Sequence, residues 1–198
     1  MAAATKSIFI VAAKRTPFGT FGGKLKSLSA TDLSVEATKA ALAAGGVNPS
    51  LVDAVFIGNV AQTSRDASYM ARHVGLKSNI PEATPALLVN RLCGSGFEAV
   101  LQGAEKIESG RAKITVCGGS ESMSQAPLSV FGHNARWGVN LGEGIKLEDT
   151  LWNGLTDTLT GLPMGITAEN LAAQYNVTRQ DADEFAFRSQ TLWAAANV

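Results

Sequence analysis

Charge is scarce in this chain. Charged residues make up 17% of its 198 positions, against about 25% in an average domain, and the 17 basic and 17 acidic residues cancel. Disordered chains are rich in charge and poor in apolar residues, whereas 45% of this sequence is hydrophobic, so disorder is excluded. Because there is no basic excess to neutralise phosphates, nucleic-acid binding is not expected.

Long apolar runs are absent, and cysteine is rare. The longest unbroken apolar stretches cover only a few residues, which predicts no membrane span. Cys93 and Cys117 are the only cysteines, which is too few for a disulfide framework and fits a reducing compartment. No cysteine–histidine cluster has the spacing of metal ligands, so no metal site is predicted.

The first 120 or so residues alternate between strand-like and helix-like patterns. Apolar, β-branched runs predict strands at 8–11, 52–60, 85–89 and 114–117. Helical spacing predicts three helices between them, ending at Gly45, Gly75 and Gly110. Thr31 is expected to cap the first helix, and 85–89, which is apolar on both faces, to be a central strand. The alternation predicts an α/β fold with a mostly parallel sheet and helices on its faces.

The pattern changes near residue 125, where glycine and proline become frequent and the alternation stops. We expect an irregular excursion there, packed on something larger and followed by helices at 167–175 and 178–196. Thr178, with Asp181 three residues later, resembles a capping box that would open the last helix.

Cys93 is the residue whose surroundings indicate chemistry. It stands where an apolar strand turns into a helix, and Gly94-Ser95-Gly96 follows it. The glycines allow a tight turn and close approach of a ligand, while the helix N-terminus favours a thiolate and offers N–H groups to an oxyanion. Strand, nucleophile and helix in this order make a nucleophile elbow, so we predict a catalytic cysteine. The competing interpretation is a buried structural thiol.

The remaining candidates are weaker. Cys117 lies inside a strand pattern and is expected to be structural. A cysteine nucleophile usually needs a base, but the sequence ties neither histidine to Cys93: His73 falls in a helix pattern and His133 in the irregular segment. A cysteine hydrolase that uses one of these histidines is an open alternative.

Residues 89–97, VNRLCGSGF, resemble the acyl-thioester cysteine motif of the thiolases. Other blocks resemble thiolase blocks in the order of the family, namely 11–19, 58–60, 70–73, 118–124 and 164–172. The resemblance covers essentially the whole chain, and several ordered blocks are far more specific than one motif. It is strongest to mitochondrial members of the family, through 14–19, 90–97, 147–152 and 162–164.

The resemblance implies a fold of two similar halves, stacked as α-β-α-β-α layers, with a loop excursion inserted in the first half. Residues 1–122 would be the amino-terminal core half, and 123–198 the start of the inserted loop domain. In the family, a Gly-His-Pro block, a second cysteine and an Asn-Glu-Ala-Phe-like block complete the site from the second half. This sequence has none of them, so we expect the amino-terminal part of a thiolase, inactive or impaired by itself.

By the same resemblance, Cys93 would attack the 3-keto carbonyl of a 3-ketoacyl-CoA, release acetyl-CoA and pass the shortened acyl chain to coenzyme A. The reverse reaction would condense two acyl-CoA molecules. Leu155 and Met164 match positions that line the pantetheine and acyl channel in relatives. Pro163 stands where some relatives carry histidine, which leaves the chain-length preference open. Coenzyme A would be a substrate, and no cofactor is expected.

Partners and location also follow from the resemblance. Complete members are homodimers or homotetramers, and residues 85–90 would pair across the dimer interface. The alternative is a catalytically silent chain that associates with full-length subunits. A location in the mitochondrial matrix is implied, although residues 1–14 by themselves are equally compatible with no targeting signal. Because 7–13 has the pattern of a strand and no cleavage site follows it, any signal there would stay uncleaved.

Overall fold

A computed structural model describes residues 7–197 of the chain. The first six residues of the predicted targeting segment therefore lie outside the described residues. The chain divides into two compact units, one up to Leu151 and the other from Trp152 onward. No helix within 7–197 has the length and apolar character needed to cross a membrane.

The first unit is built around a three-stranded parallel sheet. Its strands are β1 (Ala54–Gly58), β2 (Ala86–Val89) and β3 (Thr115–Gly119), arranged in the order β2-β1-β3. The helices are α1 (Ala30–Ala44), α2 (Met70–Lys77) and α3 (Ser95–Glu108). Among the described residues, two short 3₁₀ helices lie between these elements, at Pro49–Leu51 and Ala67–Tyr69, and two follow β3, at Met123–Gln125 and Gly132–Asn134. This arrangement confirms the predicted α/β fold with a parallel sheet.

Strand β1 forms the centre of the sheet, and its side chains alternate between two cores. Val55 and Ile57 pack into the cluster that α1 and α2 cover, while Ala54 and Phe56 pack with Ala99 of α3. All five residues of β1 are buried, as expected for a strand covered on both faces. Helices therefore lie on both faces of the sheet.

Two sequence predictions about the sheet are wrong. Strand β2, expected to be central, is an edge strand that within residues 7–197 pairs with β1 alone, and its Leu87 is 47% exposed. Residues 8–11, expected to be a strand, join no sheet, and Phe9 and Ile10 are about four-fifths exposed at 78% and 82%. Residues 8–14 line a cavity of about 420 Å³ together with β3 instead of pairing with it. An apolar pattern cannot specify the neighbouring strand that must supply the hydrogen bonds.

The ends of α1 and α2 also differ from the predictions. The N-cap of α1 is Ser29, whose hydroxyl accepts the N–H of Asp32 at 3.1 Å, while Thr31 is buried inside the helix. Gly75 does not stop α2, which continues to Lys77. The helix ends where Asn79 takes a left-handed φ of 62°, a conformation that asparagine tolerates well.

The chain from residue 125 to Leu151 is irregular, as predicted. It holds a two-residue antiparallel pair, β4 (Leu128–Ser129) with β5 (Glu148–Asp149). The short helix α4 (Thr150–Gly154) follows at the junction of the two units.

The second unit consists of short strands and two helices. Strand β6 (Thr156–Asp157) pairs with β7 (Leu162–Pro163), and α5 (Met164–Tyr175) and α6 (Arg179–Ala196) follow. The predicted capping box is confirmed, because Thr178 and Asp181 exchange both of its hydrogen bonds at the start of α6. Neither helix contains a buried residue.

Candidate active site

Cys93 lies on a constrained turn between β2 and α3. Leu92, directly before it, has a left-handed φ of +50°, which is unfavourable for a side chain larger than asparagine. Ser95 holds this turn with its hydroxyl, which donates to the carbonyl of Leu92 at 2.6 Å and accepts the N–H of Arg91 at 2.8 Å. Cys93 itself is exposed, so the interpretation as a buried structural thiol does not hold in this structure.

The start of α3 rests on the ends of two strands, and glycine makes this possible. A Cβ atom on Gly58 would lie only 2.5 Å from the carbonyl carbon of Ser95 and 2.7 Å from the amide nitrogen of Gly96. A Cβ atom on Gly119 would lie 3.2 Å from the Cα of Gly96. The missing side chains therefore let the first turn of α3 approach the sheet and fix the position of Cys93.

The first turn of α3 leaves N–H groups available near Cys93. No side chain caps this helix, and the N–H of Ser95 is bonded to the carbonyl of Leu92 at 2.9 Å. Within the described part of the chain, Gly96 and Phe97 then supply the two remaining first-turn N–H groups, which have no helical partner. Such groups, at the positive end of the helix dipole, can stabilise a thiolate or an oxyanion.

Cys93 opens into a cavity of about 720 Å³ in the first unit. Its walls come from the loop after residue 13, from the ends of β1 and β3 and from the start of α3. Lys14 and Arg15 line it, and the guanidinium carbon of Arg15 lies 5.1 Å from the ring centre of Phe18. The cavity is therefore large enough for a small ligand, and it carries basic groups on one side.

An ion pair flanks the cysteine turn on its outer side. The guanidinium of Arg91 donates to the carboxylate of Glu98 on α3. Hydrogen bonds from Gln102 and then from Arg91 lower the pKa of Glu98 below its ordinary value. Glu98 therefore serves as an anion that anchors Arg91, rather than as a neutral acid.

Neither histidine lies at this cavity. His73 on α2 places its Nδ1 3.2 Å from the carboxylate of Asp66 and stacks on Tyr69 at a ring distance of 5.8 Å. His133 is exposed and packs against Phe131. No described residue thus gives Cys93 a histidine base, which argues against a cysteine hydrolase built from this chain.

Cys117 has a structural environment, as expected. It is half-buried on β3 beside the core residues Phe56 and Ala99, and its Sγ lies 3.5 Å from the hydroxyl of Thr115. Burial raises the pKa of the Cys117 thiol, which disfavours the reactive thiolate. The two cysteines are therefore chemically distinct.

Leu155 and Met164, the predicted substrate-binding residues, both belong to the second unit. The N–H of Met164 donates to the carbonyl of Leu155 at 3.1 Å, so the two lie side by side at the base of the β6–β7 hairpin. Each side chain is a little under half exposed, at 44% and 46%. Within residues 7–197 no group of three or more metal-binding side chains comes together.

Two residues that line the cavity of Cys93 were not singled out from the sequence. Gly58 carries the start of α3, and Glu121 holds the loop that follows β1. Both fall in blocks that resemble thiolases, 58–60 and 118–124, but these blocks gave no role to either residue. The available signal was a glycine directly at the end of a buried strand.

The fold and the turn define a class, namely a three-layer α/β protein that presents an exposed cysteine at a helix N-terminus. Residues 8–198 match the family described as Thiolase, N-terminal domain. The chain is 56% identical to the mitochondrial 3-ketoacyl-CoA thiolase of Rattus norvegicus over 192 residues, which is 97% of this chain and 48% of that relative. The chain belongs to the thiolase family.

Solved structures agree with this assignment. The crystal structure of human mitochondrial 3-ketoacyl-CoA thiolase in complex with CoA matches with a TM-score of 0.92 at 56% identity, covering 96% of this chain and 48% of that chain. The crystal structure of the Bacillus anthracis acetyl-CoA acetyltransferase matches with a TM-score of 0.87 at 40% identity, covering 94% and 46%. The chain thus spans about half the length of the relatives it matches.

Proposed function

We propose that this chain carries the nucleophile of an acyltransferase that cleaves 3-ketoacyl-CoA to acetyl-CoA and a shortened acyl-CoA. The observation that carries the proposal is the exposed Cys93 on its constrained turn, two residues before the start of α3 and open to a cavity. Similarity to enzymes named 3-ketoacyl-CoA thiolase and acetyl-CoA acetyltransferase supports the substrate class.

The chemistry follows from the position of the thiol. The Cys93 thiolate attacks the 3-keto carbonyl and forms a thioester bond as the bond between C2 and C3 breaks. The released acetyl-CoA carbanion takes up one proton, which balances the proton that the Cys93 thiol loses; by the resemblance, groups of the second half of the complete enzyme carry both transfers. The thiol of coenzyme A then attacks the thioester, forms the shortened acyl-CoA and returns the cysteine. The N–H groups of Gly96 and Phe97 would offset negative charge at the reacting centre. Run backwards, the same steps condense two acyl-CoA molecules.

The other expected features belong to the same proposal. Leu155 and Met164 line the pantetheine and acyl channel of the complete enzyme, for which their partly exposed apolar side chains are suited. Residues 1–122 form the amino-terminal core half and 123–198 begin the inserted loop domain. The complete enzyme is a homodimer or homotetramer that binds acyl-CoA as substrate and needs no cofactor. Its location is the mitochondrial matrix, and any amino-terminal signal stays uncleaved.

The test is the mass of the intact chain after exposure to a 3-ketoacyl-CoA and, in parallel, to a saturated acyl-CoA of the same length. Transfer from the saturated thioester needs only a nucleophile, whereas the keto substrate also needs a proton for the leaving carbanion. From the saturated thioester we expect an acyl adduct on the parent chain and on Cys117→Ser, and none on Cys93→Ser.

The outcomes separate the parts of the proposal. An adduct that persists in Cys93→Ser would show that Cys93 is not the nucleophile. No adduct from either substrate on a folded chain would contradict acyl transfer by this chain and favour a catalytically silent partner. An adduct from the saturated substrate alone would support Cys93 as acyl acceptor and refute carbon–carbon cleavage by the chain acting alone.

A further inference from the structure

Glu121 follows the end of β3, and its carboxylate holds the loop that follows β1. Its Oε2 accepts the N–H of Val60 at 3.0 Å. Its Oε1 accepts the N–H of Ala61 at 3.0 Å and the side-chain amide of Asn59 at 2.7 Å. Asn59 is only 3% exposed and Glu121 is half-buried, so water competes poorly for these bonds. Because hydrogen bonds to an ionised acceptor are the strong ones, Glu121 fastens the ends of the two strands together.

The loop held by Glu121 is bonded in turn to the backbone that carries Cys93. The side-chain amide of Asn90 donates to the carbonyl of Val60 at 3.3 Å. The carbonyl oxygen of the same side chain accepts the N–H of Leu92 at 3.0 Å. A left-handed backbone such as that of Leu92 persists only where its neighbours hold it. A continuous path of hydrogen bonds therefore runs from Glu121 through Val60 and Asn90 to the residue before Cys93.

Glu121 also lines the cavity into which Cys93 opens. The alternative to a positioning role is therefore direct proton transfer by its carboxylate. A general base must reach the proton that it abstracts with an available oxygen. Both oxygens of Glu121 already accept N–H donors, three in all. These three hydrogen bonds favour a structural role for the carboxylate over a role in proton transfer.

We propose that Glu121 is a positioning residue for Cys93: through Val60 and Asn90 it holds the turn at Leu92 and so keeps Cys93 at the N-terminal end of α3. This inference deepens the proposed function, on which it rests, because it concerns the same nucleophile. Its test uses thiol alkylation, which needs no acyl transfer and can therefore fail or succeed independently of the proposed reaction.

The sign of the effect distinguishes positioning from simple electrostatics. Glu121→Gln removes a negative charge from the cavity, and by charge alone this would favour the thiolate and speed alkylation of Cys93. In the Glu121→Gln side chain one carboxylate oxygen is replaced by an NH₂ group, which is a donor and faces an N–H donor of the loop after β1. That hydrogen bond is lost and the loop loosens. Cys93 then moves away from the N-terminal end of α3. Positioning therefore predicts slower alkylation, by about two- to fivefold, the range that a helix N-terminus gives a nearby charge.

The experiment measures the alkylation rate of Cys93 by iodoacetamide at neutral pH in the purified chain, with peptide mapping to separate Cys93 from Cys117. The variants are Glu121→Gln, Glu121→Ala, Asn90→Ala and the double variant Glu121→Gln/Asn90→Ala. Glu82→Gln, an exposed position with the same change of charge, is the matched control. Hydrogen exchange at the N–H of Leu92 is recorded in the same proteins.

We expect slower alkylation in Glu121→Gln, a larger loss in Glu121→Ala, faster exchange at Leu92 and no change in Glu82→Gln. In the Asn90→Ala background the effect of Glu121→Gln should disappear, because the path is already cut. Equal or faster alkylation in a folded Glu121→Gln chain would overturn the proposal. If Glu121→Gln slows alkylation as much in the Asn90→Ala background as in the parent chain, the effect does not pass through Asn90 and the proposed path is wrong. If Glu121→Ala does not fold, the alkylation rate of the milder variant Glu121→Gln tests the proposal.

Discussion

A single added methyl group at Gly58 should displace the cysteine turn without touching Cys93. In Gly58→Ala the new Cβ atom would stand 2.5 Å and 2.6 Å from the carbonyl carbon and oxygen of Ser95, and 2.7 Å from the amide nitrogen of Gly96. All three are backbone atoms, so no side chain can rotate away to make room. Either β1 or the first turn of α3 has to move.

The expected cost follows from this contact. Forcing a methyl group into a well-packed site typically costs about 1–3 kcal/mol. For a chain of this size that corresponds to a fall in melting temperature of about 2–12 °C. With a urea slope of about 2 kcal/mol/M, the unfolding midpoint should fall by about 0.5–1.5 M. Alkylation of Cys93 should slow as well, because the thiol moves with the helix start.

Gly118→Ala is the matched control. Gly118 lies in the neighbouring strand β3, and a Cβ atom there would meet nothing within 4 Å. It should therefore unfold at nearly the parent urea concentration, with Cys93 alkylated at the parent rate. Urea unfolding followed by circular dichroism, and alkylation mapped by mass spectrometry, give both quantities. A Gly58→Ala chain as stable as the Gly118→Ala chain, with unchanged Cys93 reactivity, would refute the reasoning.

Local pattern in the sequence was enough to predict the elements around the sheet. The apolar runs of β1, β2 and β3 and the glycine-bounded helices between them were found within a few residues of their observed ends. These elements are encoded by side-chain periodicity over one segment, which needs no knowledge of the rest of the chain. The capping box of α6 was predictable for the same reason, since its two partners lie three residues apart.

The order of the strands was not predictable in this way. Residues 8–11 have the apolar pattern of a strand but do not pair with any strand of the described residues. Strand β2 has the pattern of a central strand but lies at an edge of the sheet. A strand is defined by the neighbour to which it bonds, and that neighbour is distant in sequence. Apolar alternation fixes which face is buried and leaves the pairing open.

The candidate site also has a part that could be predicted from local sequence and a part that could not. The turn after β2 marked Cys93 because strand, cysteine and glycines are consecutive in the sequence. Ser95 and Asn90 bond within the turn and are close to Cys93 in the sequence. The distant partners are Gly58, 35 positions earlier, which lets α3 approach the sheet, and Glu121, 28 positions later, for which we propose a positioning role. Their roles arise only when β1 and β3 bring their ends together beside α3. A short motif can therefore identify the reactive atom, while the geometry that makes it usable depends on the whole sheet.

The remaining predictions concern packing and charge away from Cys93. Asp53 accepts the N–H groups of Lys113 and Ile114, which lower its pKa from 3.8, so its stabilising contribution is present above about pH 4 and is lost as the pH falls through the lower folded value. The gap in urea midpoint between the parent and Asp53→Asn should therefore shrink from pH 6 to pH 3; a gap independent of pH would contradict this. In Gly103→Ala the new Cβ atom would overlap the Sγ of Cys117 and lie 2.9 Å from the Oγ1 of Thr115, which should cost about 1–3 kcal/mol. Because the closest clash is with the sulfur of Cys117, adding Cys117→Ala should restore part of the loss in urea unfolding. Two purely additive losses would show that the sulfur does not carry the cost and would point to the contact with Thr115.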